Sequence, residues 1–339
     1  MRQQISEAHF YRATKESSQM DERAEIRAKL IALLTAPDDA LTMAAEAVIA
    51  KDAVWDIAHP VNRLEGRAAI VEGIVRPLRR AFQPLRRRDE IFMGGANRRE
   101  QGGTWMAAVT HYVGIHSTPL FGIPASGRLT YLRSGEFYRV EGGLIVEAKL
   151  IMDFPDLMRQ GGYPPFPDDQ GTEVLFPGPE THDGVFPPAR HDMDAFATVE
   201  RMFQGLHRFD PNTFDSQGQM GPGGTWSDDF MWYGPGGIGS TMGWPGFVDH
   251  HRACFLRAFP DRIGGNHYCR FSDGAYVAVS GWPSMTMTHA DTYLGIPPTG
   301  KKLTLRVMDF YRCEGDRIME NWVLLDYADL ARQMGRDLF

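Results

Sequence analysis

The stretch that decides the fold runs from Leu294 to Gly335 and reads LGIPPTGKKLTLRVMDFYRCEGDRIMENWVLLDYADLARQMG. It opens with a Gly-Ile-Pro-Pro-Thr-Gly turn, in which two prolines fix the backbone and a glycine permits the reversal. An alternating run follows at 303–312, and a second run returns at 317–327 after a Glu-Gly-Asp turn. This pattern predicts a β-hairpin, followed by a short helix that ends in Leu-x-x-Gln-x-Gly.

The two sides of the returning strand differ in character. Side chains alternate along a strand, so two sets of residues face opposite sides of the sheet. The first set is Ile318, Glu320, Trp322, Leu324 and Asp326, and the second is Met319, Asn321, Val323 and Leu325. The second set is nearly all apolar and predicts core packing. The first set places a tryptophan between two carboxylates. Because an unpaired buried carboxylate is costly, that set predicts the wall of a pocket.

The same stretch occurs earlier in the chain. Residues 121–161 read FGIPASGRLTYLRSGEFYRVEGGLIVEAKLIMDFPDLMRQG, and about forty positions align without a gap at a constant offset of 173. Asp153 aligns with Asp326, and His116 aligns with His289, each six residues before its Gly-Ile-Pro turn. An internal duplication of this length predicts two domains of the same fold.

The order of the motifs is the next feature. A histidine, the Gly-Ile-Pro-Pro-Thr-Gly turn, Phe-Tyr-Arg, an acidic-Gly turn, Ile-x-Glu-x-Trp, an aspartate and the Leu-x-x-Gln-x-Gly helix follow one another. This order, together with GFVDHHRACFLRAFPDR at 246–262, resembles the SnoaL-like polyketide cyclases of the nuclear transport factor 2-like superfamily. The resemblance covers 195–337 well and 24–161 more loosely. It implies an α+β fold of two tandem cone-shaped barrels, each a curved mixed sheet around a long helix with an internal cavity.

The chain divides into four predicted segments. They are an N-terminal arm (1–20), a first SnoaL-like domain (21–161), a Pro/Gly-rich linker (162–190) and a second SnoaL-like domain (191–339). The composition of the linker predicts an extended, stiff connector, and its aromatic residues indicate that it lies on protein surface. In the second domain, strands are predicted at 264–271 and 275–289.

Composition disfavours several classes of function. The hydrophobic fraction of 43%, the charged fraction of 23% and the net charge of -7 are typical of a globular protein and disfavour a nucleic-acid partner. No apolar run approaches membrane-spanning length, and the first twenty residues lack the apolar core of a secretory signal. The three cysteines show no close pairing, which favours reduced thiols and a cytoplasmic location.

The resemblance implies a general acid/base at the end of the last strand. That role falls on Asp326, and on Asp153 in the first half. Burial beside tryptophan disfavours the charged form of a carboxyl, so its pKa rises toward working pH. The alternative is that Asp326 caps the C-terminal helix, since aspartate is a preferred N-cap residue, and the two roles do not exclude each other.

Two aligned histidines are further catalytic candidates. His289 and His116 each end a strand before the turn, where they can hold a substrate oxygen or pair with the aspartate. Asp291, on the same side of an extended strand, is predicted to orient His289. The alternative for both histidines is a structural role.

The predicted substrate-binding residues of the second half are Trp322, Glu320, Asp291, His251, Trp232 and Tyr233. Core packing is the alternative for the aromatic members of this set. In the first half, Glu147 and Lys149 are predicted to bind substrate. A lysine there would keep both neighbouring carboxylates ionised, which weakens the case for Asp153 as an acid/base, or it marks a pocket for an anion. His250 and Cys254 lack a second pair of ligands, so no metal is predicted.

The predicted function is that of a cofactor-independent enzyme. A lyase, an isomerase or a cyclase acting on a carbonyl or cyclic hydroxylated substrate fits an aspartate with a histidine as general acid/base. The alternative is a non-catalytic protein that binds a small molecule in one or both cavities. The predicted partner is a small-molecule substrate, and neither a nucleic acid nor a membrane is predicted. The cone-shaped domains are predicted to pair, either with each other in an internal pseudo-dimer or with other copies of the chain in a homo-oligomer.

Overall fold

Two domains with the same order of strands make up the computed structural model, which describes residues 22–167, 171–172, 175–206 and 208–339. The arm predicted at 1–20 lies outside the described residues. The first domain comprises α1 (22–35), α2 (Leu41–Glu46), β1 (Ile49–Ile57), β2 (Asn62–Glu65), α3 (Arg67–Ile70), a π-helical turn (Val71–Val75), α4 (Arg76–Ala81), β3 (Phe82–Ala96), β4 (Thr104–His116), β5 (Leu129–Glu141), β6 (Leu144–Met152) and α5 (Phe154–Gln160).

The second domain repeats this order after the linker, except that one helix instead of two precedes its first strand. It comprises α6 (Ala195–Leu206), β7 (Trp226–Tyr233), β8 (Thr241–Met242), α7 (Gly243–Phe247), a second π-helical turn (Val248–Arg252), α8 (Ala253–Ala258), β9 (Cys269–Asp273), β10 (Tyr276–Thr288), β11 (Lys302–Glu314), β12 (Arg317–Leu325) and α9 (Tyr327–Met334). None of the helices in the described ranges is long and apolar enough to cross a membrane.

Each domain contains one six-stranded mixed sheet. The strand orders are β2-β1-β6-β5-β4-β3 and β8-β7-β12-β11-β10-β9, which are equivalent position by position. In each sheet one central pair, β1 with β6 or β7 with β12, is parallel, and the other pairs are antiparallel. The duplication and the tandem α+β fold are therefore confirmed.

The two sheets pack against each other through their outer faces. Phe137 and Phe310, which occupy the same position in the two halves, meet with ring centroids 5.5 Å apart. Trp105, Phe271 and Trp322 belong to the same buried cluster. The halves thus form an internal pair related by an approximate two-fold axis.

This packing determines which side of β12 faces which core. Trp322 and Leu324 lie in the cluster between the sheets, whereas Val323 and Leu325 lie in the core under the helices of the second domain. The side predicted to line a pocket therefore faces the other domain, and that prediction is wrong. The side predicted to be plain packing faces the interior of the cone.

The linker lies on both domains. Phe166 is buried in the core of the second domain, and Phe176 is buried between the sheets. The amide of Phe186 donates to the carbonyl of Phe92 at 2.8 Å, which attaches the linker to the edge strand β3. The aromatic side chains of this segment bury apolar area that a free connector would expose to water.

The edge strand of the second sheet is shorter than predicted. Strand β9 begins at Cys269 instead of 264, whereas its counterpart β3 spans 15 residues. Gly264 and Gly265 interrupt the pairing, and Gly265 takes a left-handed φ of 90° that strands do not accommodate. The shorter strand leaves the interior of the second cone less covered than that of the first.

Candidate active site

The second domain encloses a cavity of about 120 Å³ between the inner face of its sheet and helices α6 to α8. Its walls are mainly aromatic, with contributions from Phe203, Trp226, Trp232, Phe247, Phe255 and Tyr311. Its polar lining comprises His251, Arg252, Arg262, His267, Asp309 and Asn321, with Ser284 near the glycines. A mostly apolar chamber with a few polar groups is typical of a small-molecule site.

Asp309 is the one carboxylate among the described residues of this lining. It lies on β11 between Val307 and Tyr311, which face the same cavity because strand side chains alternate. Burial raises the pKa of Asp309 to about 7, and hydrogen bonding with Asn321 and Tyr311 opposes this rise. No cation in the described part of the chain contributes to the shift. Asp309 is thus both half-ionised near neutral pH and accessible from the cavity.

His251 supplies a neutral polar group to the same cavity. Its ring stacks on Trp232, with centroids 4.4 Å apart and an interplanar angle of 20°. Burial, and then the charges of Arg252 and Arg262, lower the pKa of His251 to about 3. Its Nδ1 atom has no hydrogen-bond partner among the described residues. A neutral imidazole can donate or accept a hydrogen bond, depending on its tautomer.

The π-helical turn places His251 at the cavity. This residue is the fourth of the turn Val248–Arg252, and such turns often occur at functional sites. The first domain has the same turn, Val71–Val75, with Ile74 at its fourth position. Of the predicted substrate-binding residues, His251 and Trp232 lie in the cavity lining.

Asp326 and Asp153 lie outside the cavity, contrary to the prediction. Asp326 is the N-cap of α9 and accepts a hydrogen bond from the amide of Asp329 at 3.1 Å. Its other oxygen accepts from Arg306 at 2.9 Å and from the amide of His59 at 3.3 Å. Burial raises the pKa of Asp326, and Arg306 opposes the rise. The capping alternative is therefore confirmed for Asp326.

Asp153 repeats this arrangement across the domain interface. It caps α5 by accepting from the amide of Asp156 at 3.0 Å, and it forms an ion pair with Arg133 at 3.2 Å. Its second oxygen accepts from the amide of Gly236 at 2.8 Å. Each aspartate thus binds a loop of the other domain, so the two residues join the halves.

Substitution of Asp326 tests this structural role. Asp326→Ala is expected to lower the free energy of unfolding by about 1–2 kcal/mol, because the helix loses its cap. Asp326→Asn retains a capping oxygen and should change stability by less than about 1 kcal/mol. Denaturant unfolding of both variants measures the difference. If the Asp326→Asn protein is folded but has lost catalytic turnover, the result would support the predicted catalytic role of Asp326 instead.

The two predicted histidines close turns instead of lining the cavity. The backbone of His289 pairs with Lys301 and Gly300, and its Nδ1 lies 3.2 Å from Thr299 Oγ1. Its ring packs on Phe259. His116 is likewise buried, against Phe82. Burial lowers the pKa of both histidines. Both positions fit the structural alternative.

Asp291 does not reach the cavity either. Its side chain is exposed and accepts from the amide of Thr292 at 2.7 Å. It lines a shallow surface recess with Arg257 and Leu294. Among the described residues no hydrogen bond joins the Asp291 carboxylate to the His289 ring, because the chain turns away from the strand after residue 288, although the charge of Asp291 opposes the lowering of the His289 pKa by burial.

Trp322, Tyr233 and Glu320 lie between the sheet and the linker. Trp322 stacks on Tyr233 at 5.2 Å and donates to the carbonyl of Pro177 at 3.0 Å. Glu320 accepts from Tyr233 at 3.2 Å and from Arg312. These partners satisfy each polar group of the face that was predicted to line a pocket.

Glu147 and Lys149 belong to a recess at the surface of the first domain. Lys149 binds Asp56 at 2.8 Å and Glu147 at 3.2 Å, and Arg139 lies 3.3 Å from Glu147. The recess also contains Arg63 and is open to solvent. Its charges are mutually paired, and its residues face away from the interior of the cone.

The interior of the first domain is almost filled. Its remaining cavity measures about 20 Å³, room for roughly one water molecule. Glu136, the counterpart of Asp309, binds Arg87 at 2.6 Å and Tyr112 at 2.6 Å, and it also accepts from Tyr138. The acid of the first half is thus neutralised by a buried arginine, and the predicted cavity there is not present at a useful size.

Asp309, Tyr311 and Asn321 were missed in the sequence. A signal was available, because the 173-residue offset places an acid, Glu136 or Asp309, at the same position of both halves. The alternation of β11 also groups Asp309 with apolar residues on one side. A lone acid on an apolar strand face marks an interior carboxyl in both domains.

Several solved structures are similar to about half of this chain. A SnoaL-like protein from Jannaschia sp. CCS1 is 14% identical, with 43% of this chain and 94% of that chain covered at a TM-score of 0.36. IdmH from Streptomyces antibioticus is 20% identical, with 41% of this chain and 98% of that chain covered at a TM-score of 0.35. TsrD from Streptomyces laurentii is 17% identical, with 42% of this chain and 96% of that chain covered at a TM-score of 0.35.

Among curated proteins, none matches the chain. A family model matches two segments that correspond to the two domains, residues 36–161 and 214–334, and together these segments cover more than half of the chain. The protein therefore belongs to the SnoaL-like polyketide cyclase family, with two copies of the family's domain in one chain.

Proposed function

We propose that the second domain is a cofactor-independent enzyme that moves a proton on a small carbonyl compound, with Asp309 as general acid/base. The observation that carries the proposal is the pKa of about 7 for a carboxyl that lines an aromatic cavity. A group whose pKa lies near working pH is efficient both at accepting and at donating a proton. Removal of a proton next to a carbonyl is the first step shared by isomerases, many lyases and aldol-type cyclases.

The surrounding groups have complementary roles in this proposal. Tyr311 and Asn321 favour the ionised form of Asp309, and the amide of Asn321 is held by a hydrogen bond to the carbonyl of Phe310 at 3.1 Å. His251 is neutral and lines the cavity, so its imidazole can hydrogen-bond the carbonyl oxygen on which charge develops. The aromatic walls exclude water, which strengthens each of these interactions. The first domain, whose acid is paired with Arg87, acts in this account as a structural partner.

Deuterium uptake tests the proposal and separates it from a purely binding function. The intact protein is incubated with a panel of small ketones, aldehydes and keto acids in heavy water, without added cofactor, and uptake is followed by NMR. An enzyme exchanges the hydrogen next to the carbonyl of at least one compound that it binds. Compounds that bind in the cavity without any exchange would favour the non-catalytic alternative.

The pH dependence of this exchange follows from Asp309. The pKa of about 7 makes the carboxylate, which is the basic form, scarce at pH 5 and dominant at pH 9. The rate is therefore expected to rise through pH 7 and to reach a plateau above it, and initial rates between pH 5 and 9 measure the profile. A profile that is flat across pH 7 would contradict the role of this group.

A further inference from the structure

One wall of the second-domain cavity is formed by Trp226, the first residue of β7. The centroid of its ring lies 6.2 Å from that of Tyr311 and 6.3 Å from that of Phe247, and both of these residues also line the cavity. Tyr311 is two residues beyond Asp309 on the same face of β11, a distance of about 7 Å along a strand. Trp226 therefore bounds the cavity at its Tyr311 end, a short distance from the proposed acid/base.

Gln219 holds this ring in place. Its Oε1 atom accepts a hydrogen bond from Trp226 Nε1 at 3.0 Å, and its backbone carbonyl accepts one from the Trp226 amide at 3.0 Å. Gln219 is 1% exposed and is itself anchored, because its Nε2 donates to the carbonyl of Met202 at 3.3 Å. The Trp226 ring also packs on Phe230, with centroids 4.4 Å apart. The indole therefore cannot swing aside for a larger ligand without leaving a buried N–H group unpaired, which is costly.

The volume of the cavity determines how large a ligand fits beside this wall. A cavity of roughly 150 Å³ holds one benzene molecule, and this one measures about 120 Å³. Because protein interiors are close-packed, a larger molecule enters only if a wall moves. In the first domain the equivalent residue is Ile49, which pairs with Ile145 as Trp226 pairs with Ile318. The tryptophan thus occurs in the half that has the larger cavity.

We propose that Trp226 sets the upper size limit of the site and that Gln219 is the positioning residue that holds it. The substrate is a carbonyl compound no larger than one six-membered ring, and fused rings are excluded. That the ligand is a carbonyl compound, and that it reacts, rests on the proposed function. The size limit itself rests on the volume of the cavity and on the contacts of Trp226.

Binding of cyclohexanone and 2-decalone measures this limit. Both are uncharged ketones, and the second carries one additional fused ring. In a site without a size limit 2-decalone would bind more tightly, because it buries more apolar area. The native protein is expected to bind cyclohexanone at least about 10-fold more tightly instead, the usual penalty for overfilling a packed interior. Titrations followed by NMR of the ligand give both affinities.

Two variants assign the limit to its residues. Trp226→Ala is expected to reverse the order of the two affinities, because it removes the wall and admits the second ring. Gln219→Leu, which leaves the indole N–H without its acceptor, should reduce the preference for cyclohexanone by a smaller factor. A purely structural role of Gln219 would lower stability and leave the ratio of the two affinities unchanged, and that result would reject its positioning role.

Trp244→Ala is the matched control. This tryptophan is also buried, and its Nε1 donates to Asp215 at 2.7 Å, but it lies outside the described lining of the cavity, so the native ratio should persist. Equal affinities, or tighter binding of 2-decalone, in the native protein would overturn the proposal even where Trp226→Ala fails to fold. A folded Trp226→Ala protein that keeps the native order would overturn it as well. A size limit without proton exchange would reject the proposed function alone, and equally fast exchange of both ketones would reject this inference alone.

Discussion

Replacing Asp309 by asparagine is expected to lower the rate of proton exchange by about 10²- to 10⁴-fold, the usual contribution of a general acid/base. Asparagine keeps the size of the side chain and one of its two acceptor oxygens but cannot take up or release the proton. Ligand affinity should change little, because the cavity keeps its shape. Exchange rates and affinities measured on the same preparation separate loss of chemistry from loss of binding.

Stability supplies a second readout of the same variant. The folded pKa of Asp309 is raised above its unfolded value of 3.8 to about 7, so the native carboxyl destabilises the fold increasingly as pH rises between these values. Asp309→Asn removes this penalty and should raise the Tm more at pH 8 than at pH 4. The control is Asp326→Asn, for which the exchange rate is expected to stay at the native level. Native activity in folded Asp309→Asn would reject the assignment.

Arg87→Met is expected to lower the free energy of unfolding by about 3–5 kcal/mol, because it leaves Glu136 buried without its cation, whereas Asp89 keeps its ion pair with Arg27 at 2.7 Å. Arg87 binds Glu136 at 2.6 Å and Asp89 at 2.7 Å, and all three side chains are almost completely excluded from solvent. Urea unfolding of the whole chain measures the loss. The exchange rate at low temperature, where the variant is folded, should remain native because the reaction takes place in the other domain.

Arg88→Met is the matched control for this experiment. The neighbouring Arg88 has an exposed side chain that pairs with Glu90 at 2.8 Å, and exposed pairs contribute about 0–1 kcal/mol. A loss in Arg87→Met no larger than in Arg88→Met would show that the buried network is not structural. A folded Arg87→Met protein without activity would place chemistry in the first domain.

The fold was predictable because the sequence contains two copies of the same domain, which can be compared with each other. One offset of 173 residues aligns the hairpin, the Gly-Ile-Pro turn and the capping aspartate, so each half confirms the elements of the other. The ends of the elements were also predictable, because single residues in the local sequence determine them. Asp326 starts α9 as an N-cap, and Gly335 ends it in the left-handed conformation.

The site was not predictable from the alternation of β12, because both faces of that strand are buried. One face packs on the other domain and the linker, so it carries Trp322 and Glu320 with satisfied partners. The other face contributes Asn321 and Val323 to the cavity. The alternation of side chains identifies the two faces of the strand. It does not determine which face packs inside the second domain and which packs against the other sheet.

The difference between the two interiors also depends on residues that lie far apart in the sequence. Arg87 reaches Glu136 from a long edge strand, whereas the equivalent strand of the second domain is interrupted at Gly264, and no cation in the described part of the chain pairs with Asp309. The repeat alignment shows that Glu136 and Asp309 are equivalent. It does not show that Arg87 has no equivalent, because the edge strands β3 and β9 differ in length. Only the folded structure distinguishes the acid that is paired with an arginine from the acid that lines the cavity.

A pH titration of the aspartate carboxyl carbons by ¹³C NMR tests the central claim most directly. The native protein and Asp309→Asn are labelled at the aspartate side chains and compared between pH 3 and 9. We expect one resonance that titrates near pH 7 in the native protein and is absent from the variant. If the resonance lost in the variant titrates near pH 4 instead, Asp309 is an ordinary carboxylate and the proposed active site is contradicted.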